Sequence, residues 1–162
     1  MEERAPVISR ALERVLSPGV PLLLDSSVLI AHVRGDEHVS ELATQVVDGM
    51  VRSGRNRAIV CAVSVMEVLI EPRRKARAVY RELLDFFEHF PNLRVEPVDL
   101  EIASRAAELR ADLGFAAPDA LIIATGLVRE AGYIVTNDGE WSRKLKSLKP
   151  AISVCRLSLL LE

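Results

Sequence analysis

Carboxylates that could hold a divalent cation stand at four widely separated places in this sequence of 162 residues. Three of them come at or just beyond the end of a short apolar segment, and the fourth follows Pro118 at the start of an apolar helix. The four are Asp25, Glu67, Asp119 and Asp138. Clustered carboxylates repel one another unless a cation or shared protons neutralise them. Oxygen ligands without histidine or cysteine suit Mg²⁺ or Mn²⁺, so the pattern indicates hydrolysis of phosphodiester bonds by one or two such ions.

The elements that must bring these acids together are short segments rich in Val, Ile and Leu. They alternate with longer segments of helical period, which predicts a parallel sheet with helices on both faces. The predicted strands are residues 20–24, 58–63, 93–98 and 133–136, with a possible fifth at 152–157. The carboxyl ends of parallel strands meet at one edge, where such sheets have their functional crevice. Asp119 is expected there too, because its helix must run antiparallel to the following strand.

Capping residues and breakers predict the helices between the strands. Asp36 is a plausible start for a helix that ends near Gly54, and Pro72 is expected to interrupt the helical turn after the second strand. Asp99 can cap a helix that stops at Gly114. The other predicted helices lie at 28–33, 75–90, 118–131 and 141–148, with an amphipathic N-terminal helix within residues 1–17.

Each acid also has a simpler structural explanation. Asp25 could cap the helix after its strand, Asp119 suits the positive N-terminus of a helix, and Asp138 with Gly139 makes a good turn. Glu67 is the hardest to explain in this way, because it lies inside an apolar segment. Asp99 also follows a strand, so position alone leaves five candidate acids rather than four.

Composition narrows the class of protein. The formal net charge is −2 and only 4% of residues are aromatic, which is atypical of proteins that coat duplexes or stack bases extensively. Cys61 and Cys155 stand alone in apolar segments without metal-ligand spacing, so both are expected to pack in the core. No apolar run reaches the roughly 20 residues that span a bilayer. A soluble, cytoplasmic protein is expected, without a membrane partner.

Four segments in the same order resemble motifs of the PIN-domain family, and particularly the VapC toxin ribonucleases of toxin–antitoxin pairs. They are LLLDSSVLI at 22–30, SVMEVL at 64–69, PDALIIA at 118–124 and TNDGEW at 136–141. The resemblance covers roughly residues 20–157. It implies a three-layer α/β/α fold with a five-stranded parallel sheet, a Mg²⁺ or Mn²⁺ cofactor, endoribonuclease activity on RNA, a homodimer and an antitoxin partner.

The resemblance also selects among the acids. It makes Asp25, Glu67, Asp119 and Asp138 both the metal ligands and the catalytic residues, and it leaves Asp99 as a cap. Glu140 departs from the family pattern, where many relatives have Asp, and it could serve as an outer ligand. The implied organisation is an N-terminal helical extension at 1–17 and a PIN-like nuclease domain at 18–162.

Residues beside the four acids are candidates for binding the substrate. Hydroxyl and amide groups of Ser26, Thr136 and Asn137 could position water or phosphate, and they equally suit the end of a strand. Arg143 and Lys144, with Lys146 and Lys149 nearby, could contact RNA. Another basic group at 73–77 and Arg81 could grip a phosphate backbone or simply form a solvated helix face. Trp141 could stack on a base or pack against the sheet.

Four alternative classes of protein can be compared with this sequence. A response-regulator receiver needs an acidic pair near the first strand and a late lysine, and no acid closely precedes Asp25. A haloacid-dehalogenase phosphatase needs Asp-x-Asp, and the third position here is Ser27. A housekeeping RNA-processing nuclease, or a catalytically silent module that binds RNA or protein, would also fit the sequence.

Overall fold

A five-stranded parallel sheet forms the centre of the molecule in the computed structural model, which describes residues 6–148 and 151–161. The strands are β1 Leu22–Leu24, β2 Ala58–Cys61, β3 Leu93–Glu96, β4 Tyr133–Thr136 and β5 Ser153–Arg156. Their order across the sheet is β3-β2-β1-β4-β5, and all four neighbouring pairs are parallel. The predicted three-layer α/β/α fold with a five-stranded parallel sheet is confirmed.

Helices cover both faces of this sheet. In chain order they are α1 Arg10–Val15, α2 Ser26–Arg34, α3 Ser40–Thr44, α4 Ala62–Lys75, α5 Arg77–His89, α6 Leu100–Leu113, α7 Ala117–Val128 and α8 Gly139–Lys144. A π-helical segment, Gln45–Val51, continues α3, and short 3₁₀ helices occupy Leu145–Leu148 and Leu157–Leu160. None of the helices in the described ranges is long and apolar enough to cross a membrane.

Alternating side chains of the strands supply two apolar cores. Leu22 and Leu24 face the core that contains α2, the π-helical segment and part of α5. Leu23 faces the second core, which contains α6, α7 and Trp141. Burial of β1 on both faces explains why its sequence is apolar at every position, since a central parallel strand has no solvent face. Cys61 and Cys155 are buried free cysteines, as expected.

The first helix is part of the packed structure. Ser9 caps α1 by accepting a hydrogen bond from the backbone of Leu12, and its own N–H donates to Gln45 Oε1 at 2.9 Å. Leu12 and Leu16 are fully buried against the first core. Residues 1–5 of the predicted N-terminal extension lie outside the described residues.

Two predicted helix boundaries were wrong. Pro72 does not interrupt its helix but lies within the last turn of α4, where its missing N–H costs one hydrogen bond close to the helix end. Asp36 does not start the next helix, which begins at Ser40 instead. The Ser40 hydroxyl accepts from the backbone of Glu37 at 3.0 Å and donates to the carbonyl of Ala31 at 2.6 Å, so it fixes the turn before α3.

The order of the strands sets the position of the site. The chain leaves β1 toward β2 and β3, then returns to place β4 on the other side of β1. The carboxyl ends of β1 and β4 therefore flank a point where the direction of strand order reverses, and parallel sheets bind their ligands in the crevice at such points. Asp25 follows β1 directly, and Asp138 lies two residues after β4.

Candidate active site

Asp25 is held in a fixed orientation by hydroxyl groups. It is 5% exposed and precedes α2 as the residue before its first turn. Its Oδ2 accepts hydrogen bonds from Ser27 Oγ at 2.7 Å and Thr136 Oγ1 at 2.8 Å, and its Oδ1 accepts from Ser26 Oγ at 3.3 Å. A buried carboxylate needs such donors, because an unpaired charge in the interior is costly. These neutral donors orient the carboxylate without cancelling its charge.

The same hydroxyls anchor the loop after β4. Ser27 Oγ accepts from the backbone N–H of Asn137 at 3.0 Å, and Thr136 Oγ1 accepts from the backbone N–H of Asp138 at 3.0 Å. Asp138 in turn caps α8, its Oδ1 accepting from the N–H of Glu140 at 2.8 Å. Asp25 and Asp138 are therefore joined through Ser27 and Thr136, which locks the ends of β1 and β4 together.

Glu67 enters the same pocket from α4. Burial raises its pKa from the ordinary 4.5, and the negative charges of Asp25 and then Asp119 raise it further, while the hydroxyl of Ser26 lowers it in part. One of its oxygens, Oε1, is buried and has no hydrogen-bond partner among the described residues. A buried acceptor without a donor is uncommon in a folded protein and calls for an explanation such as a bound ion.

Asp119 reaches the pocket from the first turn of α7. Burial raises its pKa from the ordinary 3.8, and the charges of Asp25, Asp138 and Glu140 add to the rise. The buried indole of Trp141 lies close enough to offset part of this effect, although its N–H has no acceptor of normal hydrogen-bond geometry in the described part of the chain. The pKa of Asp119 is therefore raised by the carboxylates that follow both β1 and β4.

Asp25 and Asp119 raise the pKa of Glu67, and Asp25 and Asp138 raise the pKa of Asp119, so the four predicted acids lie near one another; we call Asp25, Glu67, Asp119 and Asp138 the acidic pocket. None of the four forms an ion pair with a described lysine, arginine or histidine. Within residues 6–148 and 151–161, however, no three acidic, histidine or cysteine side chains are already arranged as the ligands of a metal ion. The acidic pocket is thus an open group of carboxylates rather than a closed coordination shell.

Asp99, the fifth candidate acid, is engaged elsewhere. Its carboxylate caps α6 by accepting from the backbone N–H of Ile102 at 2.9 Å, and it pairs with Arg129 at 2.5 Å. The capping bond and then the arginine lower its pKa. Glu96, which is 3% exposed, pairs with the same Arg129 at 3.0 Å and with Arg94 at 2.7 Å. We call these four residues, Arg94, Glu96, Asp99 and Arg129, the arginine clip.

The residues predicted to bind substrate differ in burial and in the groups they contact. Ser26 and Thr136 are buried, and their hydroxyls bond Asp25. The side chain of Asn137 approaches the Ser27 carbonyl at 3.5 Å and leaves its Oδ1 buried without a partner. Arg143 and Lys144 both pair with Glu140, at 3.4 and 3.2 Å.

Other groups considered from the sequence are now placed. Lys144 also lies over the ring of Phe115 at 4.8 Å, which ties it to the protein surface. Trp141 is 1% exposed and packs in the second core, so it has no face open to a base. Lys149 lies outside the described residues.

Two contributors were missed by the sequence analysis. The sequence analysis gave Ser27 no role in the site, yet its hydroxyl joins Asp25 to the loop after β4. Trp141 packs in the core, as one of its two predicted roles required, but its proximity to Asp119 was not predicted. The signal for Ser27 was available, because a hydroxyl two residues after a strand-ending carboxylate on a helix turn lies within hydrogen-bond reach of it.

The residues of the acidic pocket fit a hard divalent cation. All the donors are carboxylate oxygens, which Mg²⁺ and Mn²⁺ prefer. Glu67 Oε1 has no hydrogen-bond partner among the described residues, and none of the four acids forms an ion pair with a described cation, so ion pairing does not neutralise their charge. The fold and the pocket together define an α/β/α protein with an acidic site at the carboxyl edge of a parallel sheet.

The PIN domain family model matches residues 22–146, and the chain belongs to the PIN domain family. This span contains all four acids of the pocket. The predicted resemblance to this family is confirmed, and the resemblance to VapC toxins is confirmed at the level of the fold. A search of curated protein sequences found no significant match.

Solved structures share the fold at low sequence identity. A toxin–antitoxin complex from Klebsiella pneumoniae matches with a TM-score of 0.61 and 16% identity over 84% of this chain and 97% of that chain. VapBC2 from Rickettsia felis, bound to a DNA fragment from its promoter, matches with a TM-score of 0.64 and 15% identity. The match covers 83% of this chain and 97% of that chain. VapC20 from Mycobacterium tuberculosis, a toxin that cleaves the sarcin–ricin loop, matches with a TM-score of 0.62 and 16% identity. The match covers 75% of this chain and 93% of that chain.

Proposed function

We propose that this protein is an endoribonuclease that depends on Mg²⁺ or Mn²⁺ and hydrolyses phosphodiester bonds of RNA. The single observation that carries the proposal is the acidic pocket, in which four carboxylates from distant parts of the chain lie near one another without an ion pair to a described cation. Membership of the PIN domain family and structural similarity to VapC toxins support it. Asp25, Glu67, Asp119 and Asp138 are the proposed ligands.

A bound cation would supply a Lewis acid and a water of lowered pKa for attack on phosphorus. The chain's own residues prepare the pocket for it. Ser27 and Thr136 fix the direction of Asp25, so its oxygens need little reorganisation. Glu67 and Asp119 have raised pKa values, so binding a cation is coupled to loss of any proton they hold.

We further propose that the protein is the toxin of a type II toxin–antitoxin pair, acts in the cytoplasm, and forms a homodimer. Toxin–antitoxin complexes from Klebsiella pneumoniae and Rickettsia felis share its fold. A groove of about 810 Å³ between α2, α4 and α5 reaches Glu67 and is lined in part by Ile30, Val33, Ile70 and Val79. An antitoxin segment seated there would cover exposed apolar side chains and block the acidic pocket.

Cleavage by matched variants tests the nuclease proposal. Asp119→Asn removes a pocket charge while keeping the shape of the side chain, and cleavage of structured RNA in Mn²⁺ is expected to fall about a thousandfold or more. Asp99→Asn is the control, because that acid also follows a strand but is bound to Arg129. Equal activity of Asp119→Asn and wild type would remove Asp119 from the mechanism.

A module that binds RNA or protein without turnover is the second candidate. It is favoured by the open arrangement of the pocket, in which no three described side chains already form a ligand set. Wild-type protein that cleaves none of a panel of structured RNAs in Mg²⁺ or Mn²⁺, yet binds them, would support this candidate over the nuclease.

A further inference from the structure

Arg156 is a cation beside the acidic pocket that the proposed chemistry has not yet used. It is the last residue of β5 and pairs in register with Thr136, whose hydroxyl holds Asp25. The carboxyl end of β5 thus lies next to the end of β4, where Asp138 begins its loop. Sequence analysis assigned Arg156 no role.

The guanidinium of Arg156 lies against the backbone of Gly139. A Cβ at position 139 would stand 2.8 Å from Nη1, 3.0 Å from Cζ and 3.4 Å from Nη2 of Arg156. Gly139 is not among the glycines with positive φ, so the turn itself does not require glycine here. A side chain at position 139 would therefore require the guanidinium of Arg156 to move.

The neighbouring acids do not neutralise this arginine. Its Nε is buried and has no hydrogen-bond partner in the described chain. Glu140 pairs with Arg143 and Lys144 instead, and Asp138 accepts from the backbone of its own loop. Among the described residues, Arg156 forms no ion pair, although it lies against Gly139, the residue that follows Asp138. An unpaired buried donor on a charged group is costly, so the surroundings of Arg156 do not satisfy its guanidinium.

We propose that Arg156 binds a phosphate of the RNA substrate next to the scissile bond, with Gly139 as the seat that holds its guanidinium in place. A phosphodiester would bring a negative oxygen to a fork of N–H donors, which is the geometry that arginine recognises best. The acidic pocket would otherwise repel the anionic backbone, and a fixed positive charge at its border offsets that repulsion. This inference rests on the proposed function.

Salt dependence of RNA binding tests the proposal. Binding of a fluorescein-labelled RNA hairpin is measured by anisotropy in the Asp119→Asn background, so that the RNA is not consumed. Arg156→Gln should weaken binding about tenfold and reduce the slope of log K against log salt concentration by about 0.7 to 1, the value for one phosphate contact. Arg57→Gln is the control, since Arg57 is exposed and precedes β2 at the opposite edge of the sheet. It should change the slope little.

A double-mutant cycle with Gly139→Ala separates substrate binding from a structural role. The added methyl should displace Arg156 and weaken RNA binding by itself, yet add little in protein that already carries Arg156→Gln. Independent, additive losses would overturn the role of Gly139 as a seat. A slope unchanged by Arg156→Gln would overturn the phosphate contact, whatever its effect on the melting temperature.

These outcomes are distinguishable from failure of the nuclease proposal. If wild-type protein cleaves no RNA in Mg²⁺ or Mn²⁺ but Arg156→Gln still lowers the salt slope, the phosphate contact stands and the nuclease proposal fails. If wild-type protein shows no salt-dependent RNA binding, the assignment of Arg156 is overturned as well.

Discussion

The two ends of α7 carry opposite solutions to the same electrostatic problem. At its first turn, Asp119 joins Asp25, Glu67 and Asp138 in the acidic pocket, where hydroxyls bond Asp25 and none of the carboxylates forms an ion pair with a described cation. At its C-terminal end, Arg129 binds Glu96 and Asp99 in the arginine clip. Each placement suits the helix dipole, which favours negative charge at the N-terminus and positive charge at the C-terminus.

The shifts in pKa show what the difference means. Asp99 has a lowered pKa because its charge is stabilised, whereas Glu67 and Asp119 have raised values because their charges are not. Carboxylates that serve only the fold are expected to be paired, as in the clip. The pocket retains unfavourable charge, which is typical of functional sites. The comparison therefore separates the structural acids from the candidate catalytic ones.

After the loss of a pocket carboxylate, the next largest expected effect comes from removing a hydroxyl that orients the pocket. Thr136→Val keeps the shape of the side chain but loses the hydrogen bonds to Asp25 Oδ2 and from the N–H of Asp138. Because bonds to charged groups are among the stronger ones, RNA cleavage should fall roughly tenfold to hundredfold, mainly in kcat.

Thr136→Ser is the matched control, since it restores the hydroxyl without the methyl group. Recovery of most of the activity in this variant would identify Thr136 as a positioning residue. A change in KM alone for Thr136→Val would contradict this role and return Thr136 to the candidates for substrate binding.

A smaller effect, on stability rather than activity, is expected at the other end of α7. Arg129→Gln leaves the buried Glu96 with Arg94 as its one remaining arginine partner in the described chain, and it takes the ion pair from Asp99. Stranding a buried charge is destabilising, so the thermal midpoint should fall by about 5 °C. Divalent cation binding should be unchanged. Loss of cation binding with an intact fold would show that the clip and the pocket are coupled.

The smallest effect concerns the pH dependence of unfolding in cation-free protein. The pKa of Glu67 in the folded protein lies above the ordinary 4.5. At pH values between the ordinary and the raised pKa, the folded state therefore holds more protons than the unfolded state. The free energy of unfolding should therefore fall as pH rises through that window, and stay lower above it. Glu67→Gln should be more stable than wild type at neutral pH, by less than about 1 kcal/mol after solvent screening, and should lose this advantage below the ordinary value.

Asp99→Asn should show the opposite sign, which makes it the control. The pKa of Asp99 is lowered in the folded state, so its charge contributes stability that is present above its ordinary value of 3.8 and is lost as pH falls through the folded value. Denaturant unfolding at several pH values measures both variants. The same sign for the two variants would contradict the distinction between pocket and clip.

Much of this architecture could be predicted from the sequence. The apolar run before Asp25 and the stop at Gly114 have local causes, namely burial on both faces and a left-handed C-cap with φ of 67°. The cap role of Asp99 was also predictable, although only a resemblance could choose among five acids. Pro72 was misjudged, because a proline near a helix end costs little and tertiary contacts decide the boundary.

The details of the site were less predictable, because they depend on contacts between distant residues. The hydrogen bond from Thr136 to Asp25 joins residues 111 positions apart, and no local sequence pattern indicates it. The pairing of Glu140 with Arg143 and Lys144 follows helical spacing and could have been read as a reason to discount those cations. The seat of Arg156 on Gly139 requires the register of β4 with β5, which only the structure provides.

Calorimetric titration of Mn²⁺ into wild type, Asp119→Asn and Asp99→Asn tests the central claim most directly, since it asks whether the acidic pocket holds a divalent cation. Binding by wild type and Asp99→Asn, with at least a tenfold loss in Asp119→Asn, is the predicted result. Binding that is equal in all three proteins, or absent from wild type, would contradict the account.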